Sequence, residues 1–222
     1  MKNSRTILVT AGPTRAYLDD IRFLTNLSTG VLGFEICRAF KRRQWNVIAI
    51  VGPTPLPFEV LSLRRLVRVE TNEEMLDATM RALRQYRPEF GIFSAAVLDF
   101  IPSKQRRGKT RSSLPHWKLD LVPAPKLIGE IARKFPSLER IEFKLESKRT
   151  NPAQLGRKIL KKSGSLAVCV NFLGDVSDAR HKALVVTRSG QTTQIQSKIQ
   201  LANTLYSLVA KTAREDRSMS HR

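Results

Sequence analysis

Short, wholly apolar runs alternate along the chain with stretches whose apolar positions return at helical spacing. TILVTAGPT begins the series: Thr6 to Thr10 reads as a buried strand, stopped by Gly12-Pro13, and NVIAIVGPT repeats the formula from Asn46 to Thr54. Between them Leu32, Ile36, Ala39 and Phe40 lie on one face of VLGFEICRAFKRR, a helix whose cationic end suits its dipole. RLVRVET predicts a strand, NEEMLDATMRALRQY a helix with Met75, Leu76, Met80 and Leu83 on one face, and FGIFSAAV a buried strand. KLIGEIARKF (helix), RIEFKLE (strand), NPAQLGRKILKK (helix, capped by Asn151 or Thr150) and SLAVCVNFL (strand) follow. KALVVTRSGQTTQIQ predicts a hairpin with a Ser-Gly turn, and an amphipathic helix runs from about Lys198 to Ala213.

Crossovers of this kind enforce parallel pairing. The pattern therefore predicts an α/β fold, a doubly wound, Rossmann-like, mostly parallel sheet with a C-terminal hairpin, forming one domain over residues 1–213. In such sheets ligands bind beyond the carboxyl ends of the strands, near the point where strand order reverses. One segment fits neither period: IPSKQRRGKTRSSLPH, Ile101 to His116, a long cationic excursion from the end of a buried strand, expected to form a projecting flap over about residues 101–122. Residues 214–222, with REDRSMSHR at the end, are expected to form a disordered tail.

With 222 residues and 41% hydrophobic content the chain is long enough for one substantial core. It contains no apolar run of the roughly 18 residues that would suggest a membrane span, and its N-terminal apolar stretch is too short for a signal peptide, so a soluble, cytoplasmic protein is expected. Cys37 and Cys169 each sit inside an apolar segment, far from any metal-ligand partner, and are expected to be buried free thiols. His116, His181 and His221 are scattered, which gives no support to a histidine metal site or a Ser/His/Asp triad. A net charge of +20 attracts polyanions, but the basic residues are dispersed rather than gathered into a nucleic-acid-reading module.

RFLTNLSTGVLG, Arg22 to Gly33, places a cation, an amide, hydroxyls and glycines directly before the first helix. Small residues there leave backbone N–H groups open to an anion such as a phosphate. The competing reading is an ordinary cap, with Ser28 or Thr29 accepting from the first turn. The first strand is followed by TAGPTR rather than G-x-G-x-x-G, which removes the best support for a nicotinamide dehydrogenase.

In order and spacing, ILVTAGPTR, IRFLTNLSTGVLGFEI (against R-x-x-x-N-x-S-S-G-x-x-G), VGPT, AAVLDF, GKTRS and LVPAPKLI resemble the phosphopantothenoylcysteine synthetase (phosphopantothenate-cysteine ligase) family, in a standalone form. The resemblance runs from Ile7 to about Ala210. It implies an α/β homodimer with a flap at the active site, acting in coenzyme A biosynthesis. The implied reaction joins 4'-phosphopantothenate to L-cysteine at the expense of CTP or ATP with Mg²⁺, through an acyl nucleotidylate. Because nothing like the flavin-dependent decarboxylase precedes Met1, no FMN is expected.

Carried over residue by residue, the resemblance makes Lys109, ten residues after Asp99, the flap lysine of the first half-reaction. Asn26 would meet the acyl intermediate, and Arg22, Ser28, Thr29 and Gly30 would hold substrate phosphate, Arg22 alternatively ordering the loop. Gly12, Ala96, Asp99, Lys109, Phe143 and Asn171 would contact the nucleotide, with Asp99 alternatively meeting metal or capping a strand end; no protein metal site is assigned. Lys198 matches a family lysine ahead of the last helix. Each has a plain structural alternative: solvated lysine, turn amide, helix-entry glycine, core aromatic.

The sequence departs from bacterial members at Val31, where they carry lysine, and in the flap, where Thr110 and Ser112 replace lysines and only Arg111 keeps a charge. EFKLES is closer to forms that tend to use ATP, and VNF keeps Asn171 but puts Phe172 where the family has aspartate. These departures leave open a catalytically impaired paralogue that binds nucleotide or phosphorylated ligand, and the +20 charge alone leaves open a basic nucleic-acid-binding protein.

Overall fold

The computed structural model describes residues 5–175 and 181–219. In chain order its elements are β1 (Thr6–Ala11), β2 (Arg15–Tyr17), β3 (Phe23–Thr25), α1 (Val31–Lys41), β4 (Asn46–Val51), β5 (Arg65–Arg68), α2 (Asn72–Tyr86) and β6 (Phe90–Phe93). There follow β7 (Phe100–Pro102), β8 (Leu121–Pro123), α3 (Leu127–Lys134), β9 (Glu139–Glu146), α4 (Pro152–Ser163), β10 (Ala167–Phe172), β11 (Ala183–Thr187), β12 (Thr192–Ile195) and α5 (Lys198–Met219).

Among the described residues eight strands form one sheet in the order β12-β11-β10-β9-β6-β1-β4-β5. The six from β10 to β5 are parallel, and the hairpin β11–β12 adds two antiparallel strands at one edge. This is the predicted Rossmann-like α/β architecture. From β1 the chain winds through β4 to β5 on one side, then returns to lay β6 against the other side of β1, so strand order reverses between β1 and β6. That is the crevice where a doubly wound sheet takes its ligand.

Burial on both faces explains the unbroken apolar runs. Ile7, Val9, Val47 and Ala49 pack under α1 and α5 through Ile36, Phe40, Leu201 and Leu205. Leu8, Ile48 and Ile50 pack under α2 and α3 through Met75, Leu83, Leu127 and Ile131. A smaller cluster sets Leu160 of α4 on Val168, Val170 and Val186. Cys37 and Cys169 are free and buried, and burial pushes both thiols' pKa up, as befits core residues. No helix of the described residues is long and apolar enough to cross a membrane.

Three boundaries differ from the sequence reading. The continuous strand expected through Val97 stops at Phe93; beyond it Ala96 keeps an isolated parallel bridge to Pro13, and the carbonyls of Ala96 and Val97 accept from Asn26. The stretch before α1 is not only a helix entrance: Phe23–Thr25 is a strand, paired antiparallel with Arg15–Tyr17. The last helix does not end at Ala213 but reaches Met219, its extension supported by helix-tolerant charged residues and a Lys211–Glu215 contact at i,i+4; the tail expected over residues 214–222 is thus helical to 219, and 220–222 lie outside the described residues.

The predicted flap leaves the sheet after β6 and is closed at its base by β7 and β8, pairing Phe100 with Pro123 and Pro102 with Leu121. Together, the β2–β3 and β7–β8 hairpins make a two-ribbon arm standing off the carboxyl end of the sheet.

Candidate active site

At the reversal point two loops lock together. Gly12, at φ +75°, lets the chain turn off β1 where an added Cβ would stand 3.1 Å from the Gly52 carbonyl oxygen. Its own carbonyl accepts from the Ala96 amide at 2.9 Å, and the Ala96 carbonyl accepts from the Thr14 amide at 3.3 Å. Beneath them, the Asn72 side chain donates to the Leu98 carbonyl (2.7 Å) and bonds Thr14 Oγ1, which in turn accepts from the Leu98 amide (3.2 Å).

Asn26 sits over this junction, directly after β3. Its Nδ2 donates to the Ala96 and Val97 carbonyls at 3.1 and 3.2 Å, so both amide hydrogens are spent on the loop that follows β6. The two acceptors also settle which end of the amide faces the loop. Sequence reasoning places Asn26 and Ala96 in the site, and the fold brings them into contact; it does not foresee Thr14 and Asn72, whose side chains make the junction rigid.

From Asn26 the chain runs through Ser28 and Thr29 to Gly30, the N-cap of α1. Gly30 is buried at φ +78°, with Thr54 Oγ1 3.0 Å from where a Cβ would be; that hydroxyl donates to the Thr29 carbonyl at 2.8 Å. No side chain caps the helix, and its first turn carries no acid. The ordinary-cap reading of Ser28 and Thr29 is therefore overturned: neither hydroxyl meets the first turn. The amides of Val31, Leu32 and Gly33 precede the first intrahelical bond, Phe34 N to Gly30 O at 3.0 Å, and have no partner among the described residues. Free N–H groups at the positive end of a helix are, in general, favourable to an anion. Gly33 brings this end close to the sheet, since a Cβ there would lie 2.3 Å from that of Ala11.

The remaining predicted residues fall along the same carboxyl rim or on the arm. Asp99, at the foot of the flap, is exposed and ion-paired with Lys126. Phe143 on β9 packs partly buried against the α1/α5-side core, the aromatic-core alternative, at the level where β6 ends. Asn171, near the end of β10, is 9% exposed, and its side-chain amide has no partner among the described residues. Three inter-strand spacings, roughly 14 Å, separate β10 from β1. Lys198 is the first residue of α5, and its charge, after burial, helps push the pKa of buried His181 down to about 4, leaving that imidazole neutral.

Arg22 points away from the helix entrance. Its Nη1 donates to Asp19 Oδ2 at 2.6 Å and to the Thr110 carbonyl at 3.3 Å, and its guanidinium lies 5.5 Å from the centre of the Trp117 ring. Of its two predicted roles, the geometry is that of a loop-ordering residue. Asp19, a carboxylate the sequence reading passed over, is fully buried. Burial raises its pKa, but the backbone amides of Thr110, Ile21 and Arg22 outweigh that and hold it well below the usual carboxylate range.

Lys109 lies between Gly108 and Thr110 in the part of the flap that docks on the β2–β3 turn. It is exposed, and its ammonium has no ion pair among the described residues. Asn26 and Lys109 thus stand on the same arm, near its two ends: four residues of extended chain from Asn26 to Arg22 span roughly 13 Å.

Magnesium fits this rim only as a companion of phosphate. The described residues contain no cluster of three acidic, histidine or cysteine side chains, and Asp99 is neutralised by Lys126. Such a site provides at most one carboxylate, which suits Mg²⁺ carried in on a nucleotide's phosphates rather than a protein-built cage. A cavity of about 770 Å³ lined by Arg5, Arg84, Arg87, Phe90 and Phe135 opens at the opposite, amino end of the sheet and contains none of the predicted residues.

A doubly wound sheet whose reversal point is clamped by polar side chains, beside a helix left open at its N-terminus, defines a Rossmann-like α/β domain. The chain belongs to the DNA/pantothenate metabolism flavoprotein C-terminal domain family, which it matches over residues 2–213. It is 30% identical over 210 residues to the coenzyme A biosynthesis bifunctional protein CoaBC of Thermococcus kodakarensis, a match covering 93% of this chain and 51% of that relative, so the chain spans about half its length. Among solved structures, the DNA/pantothenate metabolism flavoprotein from Streptococcus pneumoniae superposes with a TM-score of 0.80 at 25% identity, covering 94% of this chain and all (100%) of that one. A Cab2 variant solved in complex with phosphopantothenate-cysteine shares the fold, with a TM-score of 0.68 at 18% identity over 98% of this chain and 88% of that one.

Proposed function

We propose that the protein is a phosphopantothenate-cysteine ligase, joining 4'-phosphopantothenate to L-cysteine with CTP or ATP and Mg²⁺ in coenzyme A biosynthesis. The observation that carries this reading is the uncapped start of α1, three free backbone amides set beside the Asn26 clamp at the reversal of strand order. Family membership and the coenzyme A role in the name of the Thermococcus relative support it.

A carboxylate does not acylate an amine unaided. In the first step its oxygen attacks the nucleotide's α-phosphorus, forming the acyl nucleotidylate as the bond to pyrophosphate breaks. In the second, the cysteine nitrogen attacks the acyl carbon, the nucleoside monophosphate leaves, and the amine gives up a proton. Charge builds first on the departing pyrophosphate, where the unpaired ammonium of Lys109 serves, and phosphate charge is held by the amides of residues 31–33, with Ser28, Thr29 and Gly30 shaping their approach. Asn26 steadies residues 96–97 beneath the acyl group; to donate to the oxyanion of the second step it exchanges one of its two loop bonds. Gly12, Ala96, Asp99, Phe143 and Asn171 mark the nucleotide's course along the rim. Mg²⁺ carried in on the nucleotide would supply charge screening of the triphosphate, and Val31, lacking the charge of a lysine, leaves backbone amides to do the same for the substrate.

Homodimerisation through the arm accompanies this reading. Ile21, Phe23, Leu27, Phe100, Leu121 and Val122 are all 38–104% exposed and cluster on its two hairpins, an apolar surface a second copy would cover.

Incubation with 4'-phosphopantothenate, cysteine, Mg²⁺ and either CTP or ATP tests the proposal. Pyrophosphate release coupled to amide formation with at least one nucleotide is expected. Binding without release would mark an impaired paralogue, and no binding or release with either nucleotide would remove the assignment.

A further inference from the structure

The flap is held to the β2–β3 turn on both sides of Lys109, at Arg106, Gly108 and Thr110, and none of those bonds uses the lysine side chain. Asp19 Oδ1 accepts from the amides of Ile21 (3.0 Å) and Arg22 (2.8 Å), while Oδ2 accepts from Arg22 Nη1 (2.6 Å) and, across the chain, from the Thr110 amide (3.0 Å). Asp20 exchanges bonds with Gly108: its Oδ2 accepts from the Gly108 amide at 2.9 Å, and its own amide donates to the Gly108 carbonyl at 3.3 Å. The Arg106 amide donates to the Leu18 carbonyl at 2.9 Å. The guanidiniums of Arg22 and Arg106 each lie 5.5 Å from the centre of the Trp117 ring, so Arg22 ties the returning segment of the flap to the same turn.

A carboxylate with no exposed surface is costly on a projecting arm unless its bonds are nearly saturated. Asp19 meets that condition only because the flap supplies the Thr110 amide; with the flap undocked, Oδ2 would keep only the arginine. The latch and flap register are one structural event. Its outcome is that the residues on either side of Lys109 are fixed while the ammonium stays free.

We propose that Asp19 is a positioning residue: its buried carboxylate locks the flap onto the β2–β3 hairpin in one register and thereby sets where the Lys109 ammonium stands during nucleotidyl transfer. The proposal rests on the ligase reading above for its catalytic consequence, but not for its structural one. Arg22 belongs to the same latch, acting on the flap rather than on substrate phosphate.

Asp19→Asn retains the volume but turns one acceptor into a donor that opposes an N–H. Displacing a catalytic group by about an ångström costs on the order of 100-fold, so pyrophosphate release should fall 10- to 100-fold while KM for 4'-phosphopantothenate, set at α1, holds. In a double-mutant cycle Asp19→Asn should add almost nothing to Lys109→Ala, because both act through the same ammonium. Hydrogen exchange should quicken at amides 106–112 and not in β1 or α1. Multiplying losses in the cycle, exchange that rises throughout the molecule, or flap exchange equal to wild type would each overturn the proposal. Should Asp19→Asn fail to fold, Trp117→Leu loosens the same latch from its aromatic side and carries the same cycle and exchange readouts. If the wild-type protein releases no pyrophosphate, the ligase reading falls while the exchange comparison still decides whether the latch exists.

Discussion

Two helices begin over the same sheet and are built in opposite ways. α2 starts from Thr71, whose hydroxyl accepts from the Glu74 amide, and it carries Glu73 and Glu74 in its first turn; Glu74 reaches back to the Glu70 amide at 2.7 Å. α1 starts from a left-handed Gly30 with no capping side chain and no acid. The first arrangement satisfies the Glu74 amide and complements the dipole with two acids, worth about 1 kcal/mol for the cap. The second does neither, at the point of strand-order reversal. Stability alone would favour the first arrangement at both places, and under the proposed function α1 is the end left open for an external anion.

The comparison can be broken most severely at Gly33. Gly33→Val forces a Cβ into Ala11 and should lift the start of α1 from β1, costing about 3 kcal/mol in denaturant unfolding and abolishing phosphate-ligand binding. Next comes making α1 resemble α2: Val31→Glu should raise helix stability by about 0.5 kcal/mol while weakening phosphorylated-substrate affinity about tenfold, a split readable by thermal unfolding and calorimetric titration. Conversely, Thr71→Ala should cost about 1 kcal/mol of stability and leave that affinity in place. The smallest change is Glu73→Gln, expected to lower stability by about 0.3 kcal/mol, an effect that should shrink as salt is raised.

Much of this was legible in the sequence because burial on both faces writes parallel strands as unbroken apolar runs, as β1, β4 and β10 do. The predicted flap lies where its mismatch with both periods puts it, and Gly12, Asn26 and Ala96 meet because the loops after β1 and β6 lie side by side at the reversal, whereas Gly30 packs against Thr54. What was not legible is equally physical. β2 and β3 are three residues each, too short for period 2 to declare itself. Thr14, Asn72 and Asp19 acquire their roles from partners 58–91 positions away, as in Thr14–Asn72 and Asp19–Thr110. Arg22 shows the converse: a cation beside a phosphate motif reads as a phosphate ligand until the buried carboxylate three residues earlier is seen to claim it.

In the proposed function the open amides of α1 receive the phosphate of the substrate. Backbone amide resonances followed during titration with 4'-phosphopantothenate test it directly. Saturable shifts at Val31, Leu32 and Gly33, with Glu73, Glu74 and Met75 at the start of α2 unmoved, are predicted; unmoved resonances at 31–33 while the ligand binds elsewhere on the protein would contradict it.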